Sequence, residues 1–208
     1  MASPYENIQP DYRIILDWVS PNASVLDLGC GSGDLLYLLI KEKKVHGHGI
    51  EISVEEIYKC VAKGLNVLHG DIENGLADYK DQSFDYVILN QSLQQIMHMD
   101  RVLLDALRVG KRVIVGFPNF AYYRSRLQIL LSGKTPVNGA LPYQWYETPN
   151  LHFLSILDFI DYCRKKDVKI EQTAFLGKAK KVHLFPNFLA QSGVFLISGN
   201  GLSESYQI

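Results

Sequence analysis

The sequence predicts an α/β protein: a doubly wound, mostly parallel sheet ending in an antiparallel pair of C-terminal strands, in a single domain over 1–208. Three observations carry this. From Ser24 to Leu36 the chain reads SVLDLGCGSGDLL, a buried strand, a glycine-rich turn and the start of a helix. After it, short apolar segments alternate with helical ones, as strands joined by crossover helices do. Finally, the last two strand-like segments have no helical pattern of adequate length between them, and two strands joined without a helix are antiparallel.

Taken in order, Tyr12 to Val19 predicts a short amphipathic helix with Ile14, Ile15 and Trp18 on one face. Pro21 and Asn22 turn the chain into the first strand, Ser24 to Leu28. The helix from Asp34 runs to about Lys43, with lysines toward its negative end. A second strand, Val45 to Ile50, ends on Glu51. Ser53 caps a helix over Glu55 to Lys63, with Glu56 at the capping-box position, and Gly64 stops it. A short third strand spans Asn66 to Leu68, and Phe84 to Leu89 (FDYVIL) is apolar enough to be buried on both faces. A helix over Arg101 to Arg108 leads to a fifth strand, Arg112 to Phe117. The rhythm then breaks for an aromatic-rich insertion at about 118–152, helical over Tyr122 to Leu131 and irregular through ALPYQWYETPN. A helix over Ser155 to Lys166, capped by Ser155 with Asp158 three residues on, restores it. Val168 to Phe175 and Gly193 to Ser198 are the final strands, joined by a loop containing Pro186.

The glycine turn is where a ligand is expected. Glycine lets a ligand lie directly on the backbone, and the helix starting near Asp34 offers unpaired N–H groups to an anionic or zwitterionic group. A dinucleotide site wants G-x-G-x-x-G. Here Asp34 stands where the third glycine would be, and its charge repels a pyrophosphate. The run Asp27-x-Gly29-x-Gly31-x-Gly33 instead resembles the first motif of the class I S-adenosylmethionine (SAM) dependent methyltransferases; the alternative is a tight turn that holds nothing. That resemblance implies a Rossmann-like methyltransferase sheet binding SAM or S-adenosylhomocysteine (SAH).

In such sheets the ligand lies beyond the carboxyl ends of the strands. Glu51 ends the second strand, and its two oxygens suit the paired hydroxyls of a ribose; otherwise it is a solvated strand end. By resemblance, Asp71 accepts from the adenine amine with Ile72 against the ring, unless Asp71 is simply a turn residue. Asn90 and Gln91 close the fourth strand near where the methionine half of SAM belongs, or are two polar turn residues. Asp27 shapes the turn in the family and reaches the ligand indirectly. The histidines are read as structural, with His98 and His152 candidates for a base only if loops fold over the pocket. No HxxxH, HExxH or cysteine cluster suggests a metal. Methyl transfer from a sulfonium needs little beyond holding the acceptor in line, so no catalytic residue is assigned.

Composition narrows the partners. With 21 Lys+Arg against 22 Asp+Glu the chain carries a net charge of -1, without the basic footprint of a nucleic-acid binder. The fourth strand ends NQSL where a base amino-methylating site has N-PP-[YF], and no Pro-Cys pair offers a nucleophile for cytosine. No apolar run is long enough to cross a membrane, and MASPYENIQP lacks the features of a signal peptide. Three cysteines without CxxC spacing read as buried or free thiols in a reducing cytoplasm.

Beyond the glycine motif, VLDLGCGSGDLL, HGDIENGLADYKDQSFDYVILNQSLQ, RVGKRVIVGFPNF and above all LPYQWYETPNLHF are similar to the MetW family of methionine biosynthesis, over about residues 10–175. The family's association implies a partner, homoserine O-acetyltransferase. It leaves two functions open: a SAM-binding partner of that acyltransferase, or a methyltransferase acting on a small-molecule acceptor. The insertion's Tyr143, Trp145 and Tyr146 are then a docking surface, a lid over an acceptor, or a cover that completes the core.

Overall fold

The structure, a computed structural model, describes residues 8–74, 76–178 and 180–199; the outer parts of the domain expected over 1–208 lie outside them. Its helices are α1 (Pro10–Trp18), α2 (Asp34–Lys43), α3 (Val54–Ala62), α4 (Met99–Val109), α5 (Tyr123–Ser132), α6 (Ile156–Lys165) and α7 (Pro186–Leu189). Its strands are β1 (Ser24–Leu28), β2 (His46–Glu51), β3 (Val67–His69), β4 (Phe84–Asn90), β5 (Gly110–Pro118), β6 (Val168–Leu176) and β7 (Ser192–Gly199). They form one seven-stranded sheet in the order β3-β2-β1-β4-β5-β7-β6. The first five are parallel, and β7 runs antiparallel to both β5 and β6. β7 is thus the single reversed strand, and β6 at the edge points the same way as β5.

Side chains alternate across each strand, and the two cores follow that alternation. Leu26, Leu28, Val87, Leu89, Val113 and Val115 face α4 and α6; Val25, Tyr86, Ile88 and Ile114 face α1 and α2. Phe117, Phe159 and Phe195 anchor the first core with centroids 4.8–5.6 Å apart; each is worth about 1.5–3 kcal/mol in burial. At the amino ends of the strands the Asp85 carboxylate accepts from the Ser24 backbone and hydroxyl, both at 2.9 Å. This ties the start of β1 to the start of β4.

Element boundaries moved where caps decide them. α1 begins at Pro10, whose fixed φ suits a first helical position. α4 begins two residues before Arg101 and passes directly into β5 at Gly110, with no loop. The link between β6 and β7 contains the single turn α7, too short for any periodic signal. In α6 the Ser155–Asp158 capping box is complete in both directions. In α3, Ser53 Oγ accepts from Glu56 N at 3.4 Å, while the Glu56 carboxylate turns to Lys59 instead.

Candidate functional site

The turn between β1 and α2 is built on glycines at 29, 31 and 33, with φ of +71°, +53° and +75°. Gly29 N donates to Ile50 O at 2.8 Å, so the turn leaves β1 still bonded to β2. Gly33 N closes it on Cys30 O at 2.9 Å. A Cβ at Gly33 would stand 2.4 Å from Leu65 Cδ1 and 2.8 Å from Cys60 Sγ: this glycine seats α2 against Cys60 of α3 and the Leu65 that follows it. At Gly31 a Cβ would meet nothing within 4 Å. Its face is open to the cavity, where a ligand can lie flat on the peptide.

Glu51 is the hub. Oε2 accepts from Gly31 N at 2.8 Å; Oε1 accepts from Ile52 N at 2.9 Å and Ser53 N at 2.8 Å. The carboxylate is only 7% exposed, yet three backbone donors hold its charge in place, as a buried charge requires. It therefore fastens the glycine turn to the end of β2. Its Oε2 accepts one bond from the protein, leaving a lone pair for a hydroxyl.

Asp27 lies beneath the turn in β1, 3% exposed. Burial, and secondarily the charge of Glu51, raise its carboxyl from 3.8 to about 7. From 3.8 to about 7 the folded chain binds one proton more than the unfolded chain, so this group makes stability fall as pH rises through that window and flattens it above. The loss is on the order of 4 kcal/mol. Asp27→Asn should therefore flatten the pH dependence of urea unfolding, resisting urea better than the wild type at about pH 8 but not at about pH 4. An unchanged slope between those values would show that Asp27 does not carry it.

A cavity of about 600 Å³ lies over the turn, lined by Gly29, Gly31, Glu51, Asp71, Ile72 and, across the opening, Tyr143. The far wall comes from the end of β4: Gln91, held at φ +62°, and Ser92. Ser92 Oγ donates to Leu28 O at 2.8 Å, and a Cβ at Gly29 would stand 2.9 Å from Ser92 Cβ. Ser92 escaped the sequence reading; its signal was a small hydroxyl residue two positions past a strand facing a glycine turn. Asp71 is exposed; its Oδ1 accepts from Glu73 N at 2.9 Å, so it is a turn residue that also lines the cavity. Asn90 stands behind the wall, its Nδ2 donating to Asp11 Oδ2 at 2.8 Å, its Oδ1 buried without a partner.

His98 and His152 each have a partner in the fold. His98 Nδ1 lies 2.6 Å from Glu73 Oε2, and His152 Nε2 lies 2.9 Å from Ile96 O. Among the described residues, no group of His, Cys, Asp and Glu could hold a metal ion, and no helix is long and apolar enough to cross a membrane. The three cysteines are free.

The insertion divides. Tyr143, half exposed, borders the cavity, and also lines a second, adjoining cavity of about 410 Å³ together with Gln91, Gln94 and Asn150. Trp145 and Tyr146 point away, 71% and 65% exposed, edge to face at 5.6 Å. The backbone of the segment is anchored where Leu151 N and His152 N donate to Gln94 O at 2.9 and 3.0 Å.

A parallel sheet with one reversed strand and a glycine turn beside a strand-end acid is the class I SAM-dependent methyltransferase fold. Solved structures agree: a SAM-dependent methyltransferase from Archaeoglobus fulgidus matches with a TM-score of 0.61 at 18% identity, covering 90% of both chains. One from Clostridium acetobutylicum matches at 0.61 and 17% identity, covering 92% of this chain and 90% of that one. Within that class, the chain belongs to the family described as methionine biosynthesis protein MetW, which matches residues 9–197. A relative from Rhodopirellula baltica, the bifunctional methionine biosynthesis protein MetXA/MetW, is 34% identical over 174 residues. The match covers 79% of this chain and 28% of that protein, so the chain spans little more than a quarter of its relative.

Proposed function

We propose that this chain binds SAM or SAH over the glycine turn and acts in methionine biosynthesis as a partner of homoserine O-acetyltransferase. The observation that carries the partnership is the Rhodopirellula relative, whose name joins a MetXA part and a MetW part in one chain. The ligand reading rests on fit. The cavity of about 600 Å³ has the size of a nucleoside-sized ligand pocket. In this reading Glu51 Oε2 takes a ribose hydroxyl, and Asp71 Oδ2, left over from its turn bond, takes the adenine amine. Ile72 covers the ring, Gly31 carries the ligand's backbone contact, and Asp27 and Asn90 act from behind. When bound, SAM supplies an electrophilic methyl group on a sulfonium; the chain's own residues bind and orient it.

A second reading, a methyltransferase on a small acceptor, is favoured by the adjoining cavity, which shares Gln91, Gln95 and Tyr143 with the first. Calorimetry tests the shared premise. SAH should bind the wild type, and Gly31→Asp, which places a side chain and a second carboxylate into the open space beside Glu51, should weaken it by about a hundredfold. If neither SAM nor SAH releases heat with the wild type, the ligand reading is wrong. Incubation with SAM and a small-molecule extract separates the functions: SAH release that needs the extract marks a methyltransferase, whereas capture of the acetyltransferase without turnover marks the partner. Trp145→Ala should weaken that capture and leave SAH affinity and melting temperature unchanged, because the ring is exposed.

A further inference from the structure

α5 is a helix that belongs to no core. Of its residues only Ser125 is buried, while Leu130 and Leu131 are 78% and 81% exposed. Ten residues of helix are marginal in water on their own, and adjacent leucines left in solvent forgo about 2 kcal/mol each of burial. On one side α5 runs into the exposed ring of Trp145, with Gln128 and Lys134 in the depression between. On the other it meets α7, where the Phe188 ring lies 5.7 Å from that of Tyr123 and under the Arg126 guanidinium at 5.6 Å.

The start of α7 adds an independent observation. Phe185, which precedes it, sits in the left-handed region at φ 46° with its ring 77% exposed. A bulky residue there costs about 1 kcal/mol or more against glycine. The strained residue is thus an aromatic one that lies mostly in water. Charge follows the same surface. α5 carries Arg124 and Arg126, Lys134 lines the depression beside Trp145, and 118–146 contain no Asp or Glu, in a chain whose net charge is -1.

From these we infer that the face running from Trp145 across α5 to Phe185 is a docking surface for a protein that offers an apolar groove rimmed by carboxylates. It rests on the partner reading above and gives that partner a face. A second copy of this chain does not suit it, since pairing the face with itself would set cations against cations. A fluid membrane does not suit it either. Phe185 is fixed by its backbone, and Arg126 by its Nε bond to Ala121 O at 2.6 Å. Such preorganised knobs gain most from a matching rigid groove.

The test measures binding of purified homoserine O-acetyltransferase from the source organism to the full chain by calorimetry. The double variant Leu130→Asp, Leu131→Asp should lose about a hundredfold or more in affinity while keeping SAH affinity within about twofold. Phe185→Gly should lose about tenfold and melt at the same temperature or higher, because it relieves backbone strain; a purely structural role for Phe185 predicts the opposite. Raising NaCl from about 0.05 to about 0.5 M should weaken wild-type binding severalfold. If the wild type binds the enzyme and these variants bind it equally well, the face is wrong and the partnership stands. If the wild type does not bind it, both fall. Sedimentation with phosphatidylglycerol vesicles, or self-association, that is lost in the leucine variant would overturn the inference in favour of a membrane or a second copy.

Discussion

Glu51→Ala is expected to be the most damaging single change at the site. It removes one carboxylate that three backbone N–H groups share. Each donor stranded out of water costs about 1–3 kcal/mol, although Ile52 lies at the surface and water can reach its amide. A net loss of about 2–4 kcal/mol in urea unfolding follows, partly offset because Asp27 loses a repelling neighbour. On the proposed reading SAH binding should fall below detection, since the proposed hydroxyl acceptor and the shape of the turn go together. Glu51→Gln sharpens the test: it keeps the volume but presents an NH2 group to backbone donors. It should destabilise nearly as much, and should let the Asp27 carboxyl titrate lower. A Gln variant as stable as the wild type would mean that the carboxylate is not the fastening described here.

The second large effect is at Gly33. Alanine there places a Cβ 2.4 Å from Leu65 Cδ1 and 2.8 Å from Cys60 Sγ, with φ at +75°. The left-handed backbone alone costs about 1–2 kcal/mol for an L-residue, and overpacking between α2 and α3 adds about 1–3 kcal/mol. Gly33→Ala should therefore lower stability by about 2–5 kcal/mol. Gly31→Ala, with the same backbone sign but nothing within 4 Å, should cost about 1–2 kcal/mol. The difference between the two, read from parallel urea melts, separates steric crowding from backbone strain. Equal losses would refute the crowding at Gly33.

Much of the fold was legible because it is written in local chemistry. The strand, turn and helix around positions 29–33, the Ser155–Asp158 cap and the reversal of β7 each follow from short stretches of sequence. Glu51 was legible as a strand-end acid at the expected site, but its burial and its three backbone partners were not. They depend on β2 and the turn meeting at a particular height, which no spacing encodes. Tyr143 and Trp145 show the limit most plainly. They are two residues apart in a segment with no period, yet one borders the cavity and the other does not; the segment is held at its ends by the Asn138–Leu141 bridge and by the bonds to Gln94 O, which the sequence pattern does not show. α7 was hidden by its length, and the strain at Phe185 by being a property of backbone angles alone.

The place of β7 in the sheet has a consequence for synthesis. β6 leaves the ribosome before the strand that will join it to β5, so for the time it takes to make residues 177–199 it has no neighbour to pair with. At about 5–20 residues per second that interval lasts seconds, during which the borders of both β5 and β6 lie open to stray pairing. Completion of this sheet is therefore a late, post-emergence event, and a nascent chain stalled before Ser192 should depend on chaperones in a way that the finished one does not.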